Sequence, residues 1–410
     1  MKKFLAISMI LILLSGAVFG VSLYHYIDVK GGATPDQVAP TEEIKDDDNK
    51  KEEEKVVTST SLPKEWNDNG IFSKNYDKAY TDTLGMTTEQ MVGQLLIGTC
   101  PTDDTADELV TKYALGGYFF NSDNFFMMNT GQIKEKVSSY QQKAKTPMIM
   151  SVEEEGGAYC PVSDADLYDN YEFSSIRDVY AEGGLTALKE NETNKATMLS
   201  TVGINLNFAP VCDMAQEQTQ IMYSRSLGGT LEDTQQYVKD TTAVSQEKGV
   251  SVALKHFPGY GTIPDTLDSV VTDTRDGASF EGNDFVPFKA GIDSGAHCIM
   301  MSNVLVQNID PTCVASLSDY THTILRNELK FTGLIITDNL NNADYSQYSN
   351  SKDVYVQAVL AGNDMVMVDD VDAAYKAILD AVNDGTISKD ALQKACMRVL
   401  AYKYTAGIIK

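Results

Sequence analysis

Short apolar segments recur along the chain from about residue 65 onward, each followed by a longer, mostly polar stretch. The segments are almost continuously apolar, which is typical of strands buried on both faces of a parallel sheet. The polar stretches between them are long enough for helices. Seven or eight such units in about 345 residues favour a single-domain α/β fold, a (β/α)8 TIM-type barrel, over an open sheet. The seven clearest strand segments are 118–120, 148–152, 206–211, 252–256, 298–302, 334–337 and 365–368.

Two stretches carry explicit helix signals. Thr87-Thr88-Glu89-Gln90 has the form of a capping box and predicts a helix whose apolar positions include Met91, Leu95 and Leu96. Residues 373–409 predict two amphipathic helices, with Gly385 ending the first.

The N-terminus has a different pattern. Residues 4–24 are uncharged and apolar and follow Lys2 and Lys3; these 21 residues suffice to cross a bilayer core of about 30 Å. We therefore expect residues 1–27 to form a transmembrane anchor. A secretory signal cleaved after Gly20 is the open alternative.

Charge around this segment predicts its orientation. Lysines precede the apolar run and a mainly acidic segment follows it, which places the N-terminus inside and the bulk of the chain outside. The expected location is the cell membrane as a single-pass protein, or the exterior if the segment is cleaved.

Residues 28–65 predict a flexible, disordered acidic linker. They contain glycines, prolines and a mixed charge run, with nine acids and four lysines between residues 36 and 55, and almost nothing to bury. The barrel domain is expected to span residues 66–410.

The 410-residue chain has 33 basic and 58 acidic side chains and a net charge of −25. This balance argues against a nucleic-acid partner, because phosphate binding requires clustered Lys and Arg. Its hydrophobic fraction of 43% excludes a wholly disordered chain.

Polar residues cluster at the ends of the predicted strands, where barrel enzymes build their sites. Structural ion pairs are the alternative explanation for these charges. The strand ends carry 153–157, Asp213, 255–259, Asn303 and 338–339.

Six motifs follow one another along the chain. They are Gly203-Ile204-Asn205-Leu206-Asn207-Phe208-Ala209-Pro210-Val211, Arg225-Ser226-Leu227-Gly228, Lys255-His256-Phe257-Pro258-Gly259-Tyr260-Gly261, Ala315-Ser316-Leu317-Ser318, Gly333-Leu334-Ile335-Ile336-Thr337-Asp338 and Ala361-Gly362-Asn363-Asp364-Met365. In this order they resemble family 3 glycoside hydrolases, and most closely the single-domain bacterial β-N-acetylglucosaminidases that act on cell-wall fragments. The chain resembles this family from about residue 85 to its end.

The resemblance implies roles for individual residues. Asp338 matches the nucleophile that forms a covalent glycosyl-enzyme in this retaining family. Arg225, Lys255 and His256 match residues that hydrogen-bond the sugar hydroxyls. Glu153 stands where the family has an aspartate that holds the sugar, and it is one methylene longer.

One departure concerns the proton donor. The family branch has a loop histidine in an Asp-Ser-His triplet, and here the triplet reads Asp268-Ser269-Val270. Valine has no proton to donate, although general acid catalysis typically contributes about 10²–10⁴-fold. Asp268 is the best substitute, because desolvation raises a carboxyl pKa. Asp265 and Tyr260 are further candidates if the loop folds inward.

Other family positions also differ. The arginines that often follow the Glu-Gly-Gly stretch are replaced by Ala158 and Pro161.

The resemblance therefore implies a retaining hydrolase of terminal β-linked N-acetylglucosamine in cell-wall or other glycans. The alternative is a catalytically impaired glycan-binding pseudoenzyme, because Val270 replaces the acid histidine. No metal or organic cofactor is implied. The expected partners are a glycan or peptidoglycan-derived N-acetylglucosaminide and, through residues 4–24, the membrane; we expect a monomer.

Overall fold

A computed structural model describes residues 61–165, 172–264, 270–340 and 343–410. Ten strands lie within these residues. They are β1 (Leu96–Thr99), β2 (Gly117–Phe120), β3 (Ile149–Val152), β4 (Leu206–Asn207), β5 (Ser251–Phe257), β6 (Thr272–Asp273), β7 (Cys298–Met301), β8 (Leu305–Val306), β9 (Leu334–Thr337) and β10 (Val366–Val368).

Eight of the strands form one parallel sheet in the order β10-β1-β2-β3-β4-β5-β7-β9. The two ends of this order meet through a parallel bridge between Ile336 and Met365. The amide of Thr337 also donates to the carbonyl of Met365 at 3.2 Å. The sheet is therefore a nearly closed barrel, consistent with the predicted TIM-type fold. Strands β6 and β8 pair separately, outside the barrel.

Helices connect the strands. They are α1 (Tyr76–Leu84), α2 (Thr88–Gln94), α3 (Thr105–Tyr113), α4 (Ser122–Phe125), α5 (Thr130–Lys143), α6 (Ile176–Val202, with a non-helical Gly184), α7 (Leu231–Glu247), α8 (Gly277–Ser279), α9 (Phe285–Asp293), α10 (Asp319–Thr323), α11 (Val354–Ala361), α12 (Val371–Asn383) and α13 (Lys389–Thr405). Short 3₁₀ or π turns occupy Lys64–Trp66, Ser73–Asn75, Phe280–Asp284, Ala315–Leu317, Ile324–Glu328 and Ala343–Tyr348.

The predicted capping box is confirmed, but its helix is shorter than expected. Thr87 and Gln90 exchange two hydrogen bonds at the start of α2. The helix ends at Gln94, and Leu96 begins β1. The prediction that Leu95 and Leu96 lie on this helix is wrong, because consecutive apolar residues suit a strand buried on both faces better than one helix stripe.

The two predicted C-terminal helices are confirmed as α12 and α13. Gly385 lies between them with φ 84°, a left-handed conformation that glycine adopts without a Cβ penalty.

The predicted anchor, residues 1–27, and most of the predicted linker, residues 28–65, lie outside the described residues. Among the residues that are described, no helix combines the length and apolar character that crossing a membrane requires.

The strands are buried on both faces, as their composition predicts. All four residues of β3 and all seven of β5 are buried. Lys255 and His256 are the ionisable residues within β5. A buried ionisable group is costly unless it has a partner, and the partners of Lys255 and His256 belong to the candidate active site.

Candidate active site

The candidate site residues gather at the C-terminal face of the barrel. Glu153 follows β3, Lys255 and His256 lie near the end of β5, and Asp338 follows β9. Because the strands are parallel, their carboxyl ends open on one face. Strands β3 and β9 stand four places apart in the eight-strand order, so Glu153 and Asp338 face each other across the mouth.

Four charged side chains form what we call the mouth cluster: Glu153, Glu155, Arg225 and Lys255. The Lys255 ammonium is fully buried and contacts both carboxylates. The Arg225 guanidinium donates to Glu153 at 2.7 Å and, through Nε, to Glu155 at 3.0 Å. Two positive and two negative charges balance, which suits a neutral ligand that hydrogen-bonds to charged groups.

Electrostatics keep two members of the cluster, Glu155 and Arg225, ionised. Burial alone would raise the pKa of Glu155, but Lys255 and Arg225 outweigh it and lower this pKa to about 2. Burial opposes the charge of Arg225, yet its bonds to Glu155 and the charge of Glu153 raise its pKa further above the ordinary value.

Lys255 is ion-paired, as the alternative explanation of the strand-end charges, structural ion pairs, predicts. The Glu153 side chain nevertheless remains 26% exposed and Arg225 16% exposed, so the cluster is open to the mouth on one side. An ion pair at this position can therefore also hold a ligand.

His256 is oriented by Asp213. The imidazole Nδ1 lies 2.8 Å from Asp213 Oδ2, and the His256 amide donates to the same oxygen at 3.1 Å. Asp213 Oδ1 accepts from the Tyr260 amide at 2.7 Å. A carboxylate on one ring nitrogen fixes the ring and leaves the other for a different partner.

Tyr260 packs edge-on against His256, with ring centroids 5.3 Å apart. Burial raises the pKa of Tyr260 well above its usual value, and the Asp338 and Asp213 carboxylates raise it further. The phenol therefore stays protonated and is a hydrogen-bond donor near the proposed nucleophile. The other candidate proton donors, Asp265 and Asp268, lie outside the described residues.

Asp338 sits in a braced turn after β9. Its amide donates to the Met301 carbonyl at 2.8 Å, and its Oδ1 accepts from the Asn339 amide at 2.7 Å. The Asn339 side chain donates to Asp369 at 2.9 Å, while Asn303 donates to the Asn339 carbonyl at 2.9 Å. The loops after the neighbouring strands β7 and β10 therefore hold this turn in place. Asp338 itself is half-buried.

The loop after β5 is clamped by Arg275. This side chain donates to Asp273 at 2.7 Å, Asp284 at 2.8 Å and the Gly259 carbonyl at 3.1 Å. Burial raises the pKa of Asp284 to about 6 even though Arg275 opposes the rise. Val270 is half-buried and packs against the barrel core.

The sequence assigned no role to Asp213 or Glu155, although both lie at strand ends. Glu155 had a usable signal, because alternation puts residues 153 and 155 on one side of an extended segment. Glu154 points elsewhere and accepts hydrogen bonds from the amides of Val162 and Ser163.

The remaining described histidines, His297 and His322, make their hydrogen bonds outside the mouth cluster. His297 precedes β7 and has Nδ1 2.8 Å from Ser251 Oγ; burial lowers its pKa to about 4. His322 bonds the Ser318 carbonyl through Nδ1 at 2.7 Å. Of the histidines in the described ranges, only His256 is at the mouth. Those same ranges contain no group of three or more His, Cys, Asp and Glu side chains placed to hold a metal ion.

Comparison with known proteins identifies the family. Residues 87–402 match the Glycosyl hydrolase family 3 N terminal domain. The chain belongs to this family. Membership confirms the resemblance drawn from the motifs and makes the chain a glycoside hydrolase.

Curated relatives of this family 3 chain are named beta-hexosaminidase. The protein from Stenotrophomonas maltophilia (strain K279a) is 31% identical over 284 residues, covering 67% of this chain and 82% of that protein. The protein from Xylella fastidiosa (strain M12) is 29% identical over 262 residues, covering 61% and 75%.

Solved structures share the barrel. A family 3 beta-N-acetylglucosaminidase from Paenibacillus sp. str. FPU-7 has a TM-score of 0.71 and 27% identity over 79% of this chain. The match spans 63% of that longer protein. A Beta-N-acetylhexosaminidase from Beutenbergia cavernae DSM 12333, at 23% identity and a TM-score of 0.65, covers 78% of this chain and 99% of its own, and supports the fold alone.

Proposed function

We propose that this family 3 chain is a retaining β-N-acetylglucosaminidase that hydrolyses terminal β-linked N-acetylglucosamine in cell-wall or other glycans. The observation that carries the proposal is the half-buried Asp338 carboxylate facing the charge-balanced mouth cluster across one barrel mouth. The names of the curated relatives and of the Paenibacillus structure support the same substrate.

In this proposal the mouth cluster and His256 hold the sugar through its hydroxyls, which places its anomeric carbon at Asp338. The Asp338 carboxylate attacks that carbon and the glycosidic bond breaks. Water then displaces Asp338 from the same carbon. Inversion at each step gives net retention.

The leaving oxygen needs a proton, which Val270 does not supply. Asp268 is our candidate for this role, and Asp268 belongs to the part of the loop outside the described residues. Tyr260 stands closer to the site than the sequence suggested, as a protonated donor beside His256.

We further propose that the barrel domain of residues 66–410 works outside the cell as a monomer. Residues 4–24 would anchor it as a single transmembrane pass, and residues 28–65 would form the spacer. Cleavage of the N-terminal segment would instead release it.

The test uses the full chain as the enzyme and compares two substrates that differ in their leaving group. 4-Nitrophenyl β-N-acetylglucosaminide has a good leaving group, and N,N′-diacetylchitobiose has a poor one. We expect the aryl glycoside to be cleaved, and Asp338→Asn to lower its kcat by at least about 10³-fold. The exposed Asp380→Asn is the matched control and should leave kcat unchanged.

The outcomes separate the candidate functions. Cleavage of both substrates means that an acid other than residue 270 acts, whereas cleavage of the aryl glycoside alone means a working nucleophile without an acid. If neither substrate reacts while Asp338→Ala still binds the sugar, the chain is the glycan-binding pseudoenzyme.

A further inference from the structure

A cavity lies between helices α10, α11 and α13, in the layer of helices around the barrel. Its volume is about 450 Å³, within the range of about 300–1,000 Å³ that is usual for small-molecule sites. Of the described residues that line it, none belongs to the mouth cluster, and neither His256 nor Asp338 is among them. The cavity is therefore separate from the candidate active site.

Three cationic side chains line this cavity, those of Arg326, Lys394 and Arg398. The two arginines share one carboxylate, because each guanidinium donates to a different oxygen of Asp364 at 2.7 Å. Asp68 pairs more loosely with Arg398, at 3.5 Å. Within the described residues, the Lys394 ammonium has neither an ion pair nor a hydrogen bond. Lys394 is therefore the cation that can receive a negatively charged group.

The positive charge around Lys394 is incompletely balanced. Burial and the neighbouring Arg398 charge lower the pKa of Lys394, and together they lower the pKa of Arg326 to about 10. At Arg398 itself burial is outweighed, chiefly by the Asp364 charge, and the pKa is raised. The other acid of the lining, Asp319, is exposed at the start of α10. A carboxylate beside Lys394 would balance this charge.

His322 contributes a buried hydrogen-bond acceptor to the same cavity. The residue is 3% exposed, and its Nδ1 lies 2.7 Å from the Ser318 carbonyl, which can only accept. Nδ1 therefore carries the hydrogen. Because burial lowers the pKa of His322, the ring is neutral and Nε2 is a bare acceptor. No group in the described part of the chain donates to this nitrogen.

Asn363 contributes a second buried acceptor. Its Nδ2 donates to the carbonyls of Ser316 and Ala358, both at 2.7 Å, so the amide orientation is fixed. The remaining atom, Oδ1, has no partner among the described residues. The side chain is 2% exposed and lies beside the His322 ring. Two acceptors cannot hydrogen-bond to each other, so both require a donor from a third group, such as a ligand hydroxyl.

We propose that this cavity binds a sugar acid, a monosaccharide-sized ligand that carries one carboxylate together with several hydroxyls. The carboxylate accepts hydrogen bonds from Lys394, and the hydroxyls donate to His322 and Asn363. A single negative charge matches the single unpaired ammonium, and the volume accommodates one pyranose ring. This site goes beyond the proposed function and does not depend on it.

The experiment measures binding of four probes to the full chain by isothermal titration calorimetry. D-Glucuronate has both the carboxylate and the hydroxyls, D-glucose lacks the carboxylate, cyclohexanecarboxylate lacks the hydroxyls, and glucose 6-phosphate has a doubly charged phosphate instead. We expect the Kd for D-glucuronate to be at least about tenfold lower than the Kd for each other probe, because each of them lacks one matching feature.

Two matched pairs of variants locate the binding. Lys394→Met removes the unpaired ammonium and should raise the Kd for D-glucuronate at least about tenfold, whereas Lys389→Met removes an exposed ammonium from the same helix and should leave it unchanged. Thr323→Glu adds a negative charge to the lining and should raise this Kd about tenfold, whereas the uncharged Thr323→Gln should not. All four variants should keep kcat/KM for the aryl glycoside, because none changes the mouth.

Several results would overturn the inference. Binding of none of the four probes would reject the site, and so would a Kd for D-glucuronate that Lys394→Met leaves unchanged, because the sugar acid would then bind elsewhere. Equal affinity for D-glucuronate and either D-glucose or cyclohexanecarboxylate, or tighter binding of glucose 6-phosphate, would reject a sugar acid as the ligand. The calorimetry does not depend on hydrolysis, so failure of the proposed function would appear separately, in the glycosidase assays.

Discussion

At the scale of single residues, three adjacent glutamates after β3 have different roles. Glu153 and Glu155 join the mouth cluster, whereas Glu154 is buried and bonded to the amides of Val162 and Ser163 at 2.8 and 3.1 Å. Burial raises the pKa of Glu154 to about 7, although these hydrogen bonds act to lower it. One step along an extended segment therefore separates a ligand-facing acid from a structural one.

Replacing Glu155 should destabilise the barrel more than replacing Glu153. Glu155→Gln leaves the buried Lys255 with a single carboxylate, which we expect to lower the free energy of unfolding by about 3 kcal/mol in urea. Glu153→Gln removes a more exposed partner and should cost about 1 kcal/mol. Equal losses for the two variants would contradict this assignment.

The ion pair between Glu155 and Lys255 also predicts how the free energy of unfolding depends on pH. The pKa of Glu155 is about 2 in the folded state and near its ordinary 4.5 in the unfolded chain. The folded state binds fewer protons between these values, so the stabilisation is complete above pH 4.5 and is lost as the pH falls through 2. The difference in unfolding free energy between wild type and Glu155→Gln should become smaller as the pH falls from 4.5 to 2.

Val270 provides a gain-of-function test. Val270→His restores the triplet that the family resemblance implies, next to Asp268 and Ser269. We expect chitobiose hydrolysis to increase, by up to about 10²-fold, and aryl glycoside hydrolysis to change little, because only the poor leaving group depends on an acid. An equal increase for both substrates would argue against a role in protonation.

At the scale of elements, α13 carries a buried charge that does not serve the site. Lys403 is fully buried, and its ammonium donates to Gln94 Oε1 at 2.7 Å. Burial lowers the pKa of Lys403 to about 7. This helix therefore packs against the end of α2 through a polar contact inside an apolar cluster.

Lys403→Met should stabilise the domain, most strongly at low pH. Between pH 7 and 10.5 the unfolded chain holds a proton that the folded chain releases, so wild-type stability rises with pH across this window. Below pH 7 the full cost of the buried ammonium is present. We expect a gain of about 1–3 kcal/mol at pH 6 that shrinks toward pH 10, measured by urea unfolding. Lys389→Met, at the exposed start of α13, should show no such pH dependence.

At the scale of the whole molecule, the two faces of the barrel have different roles. One face carries the candidate active site, and the opposite face carries a charged network that stabilises the fold. Asp364, just before β10, accepts from Arg326 and Arg398 at 2.7 Å each and from the Ile335 amide at 2.9 Å. These bonds tie β9, β10 and α13 together at the face opposite the mouth. Polar networks at that face of a barrel serve stability.

Asp364→Asn should weaken the fold without changing the chemistry. Losing the buried Asp364 charge between two largely buried guanidinium groups should cost about 3 kcal/mol of unfolding free energy. The folded fraction should keep its kcat/KM for the aryl glycoside, because Asp364 is remote from the mouth. A lower kcat at full folding would show that the two faces are coupled.

Prediction from the sequence succeeded where the signal is local. Apolar runs predicted seven of the barrel strands, and the capping box predicted the start of α2. It failed at Leu95 and Leu96, because a short apolar run beside a helix fits either element. Glu155 and Asp213 were assigned no role, since pairing with Lys255 and His256 depends on residues distant in the chain.

The sequence by itself determined the barrel class, the family and the strand ends that carry polar residues, because hydrophobic period and motif order are properties of the chain alone. Only the tertiary structure decided which acids face the mouth, that Tyr260 packs on His256, and that a cavity forms between α10, α11 and α13. The physical reason is that barrel closure brings together loops from strands far apart in the chain, and contacts, burial and pKa values arise from that meeting.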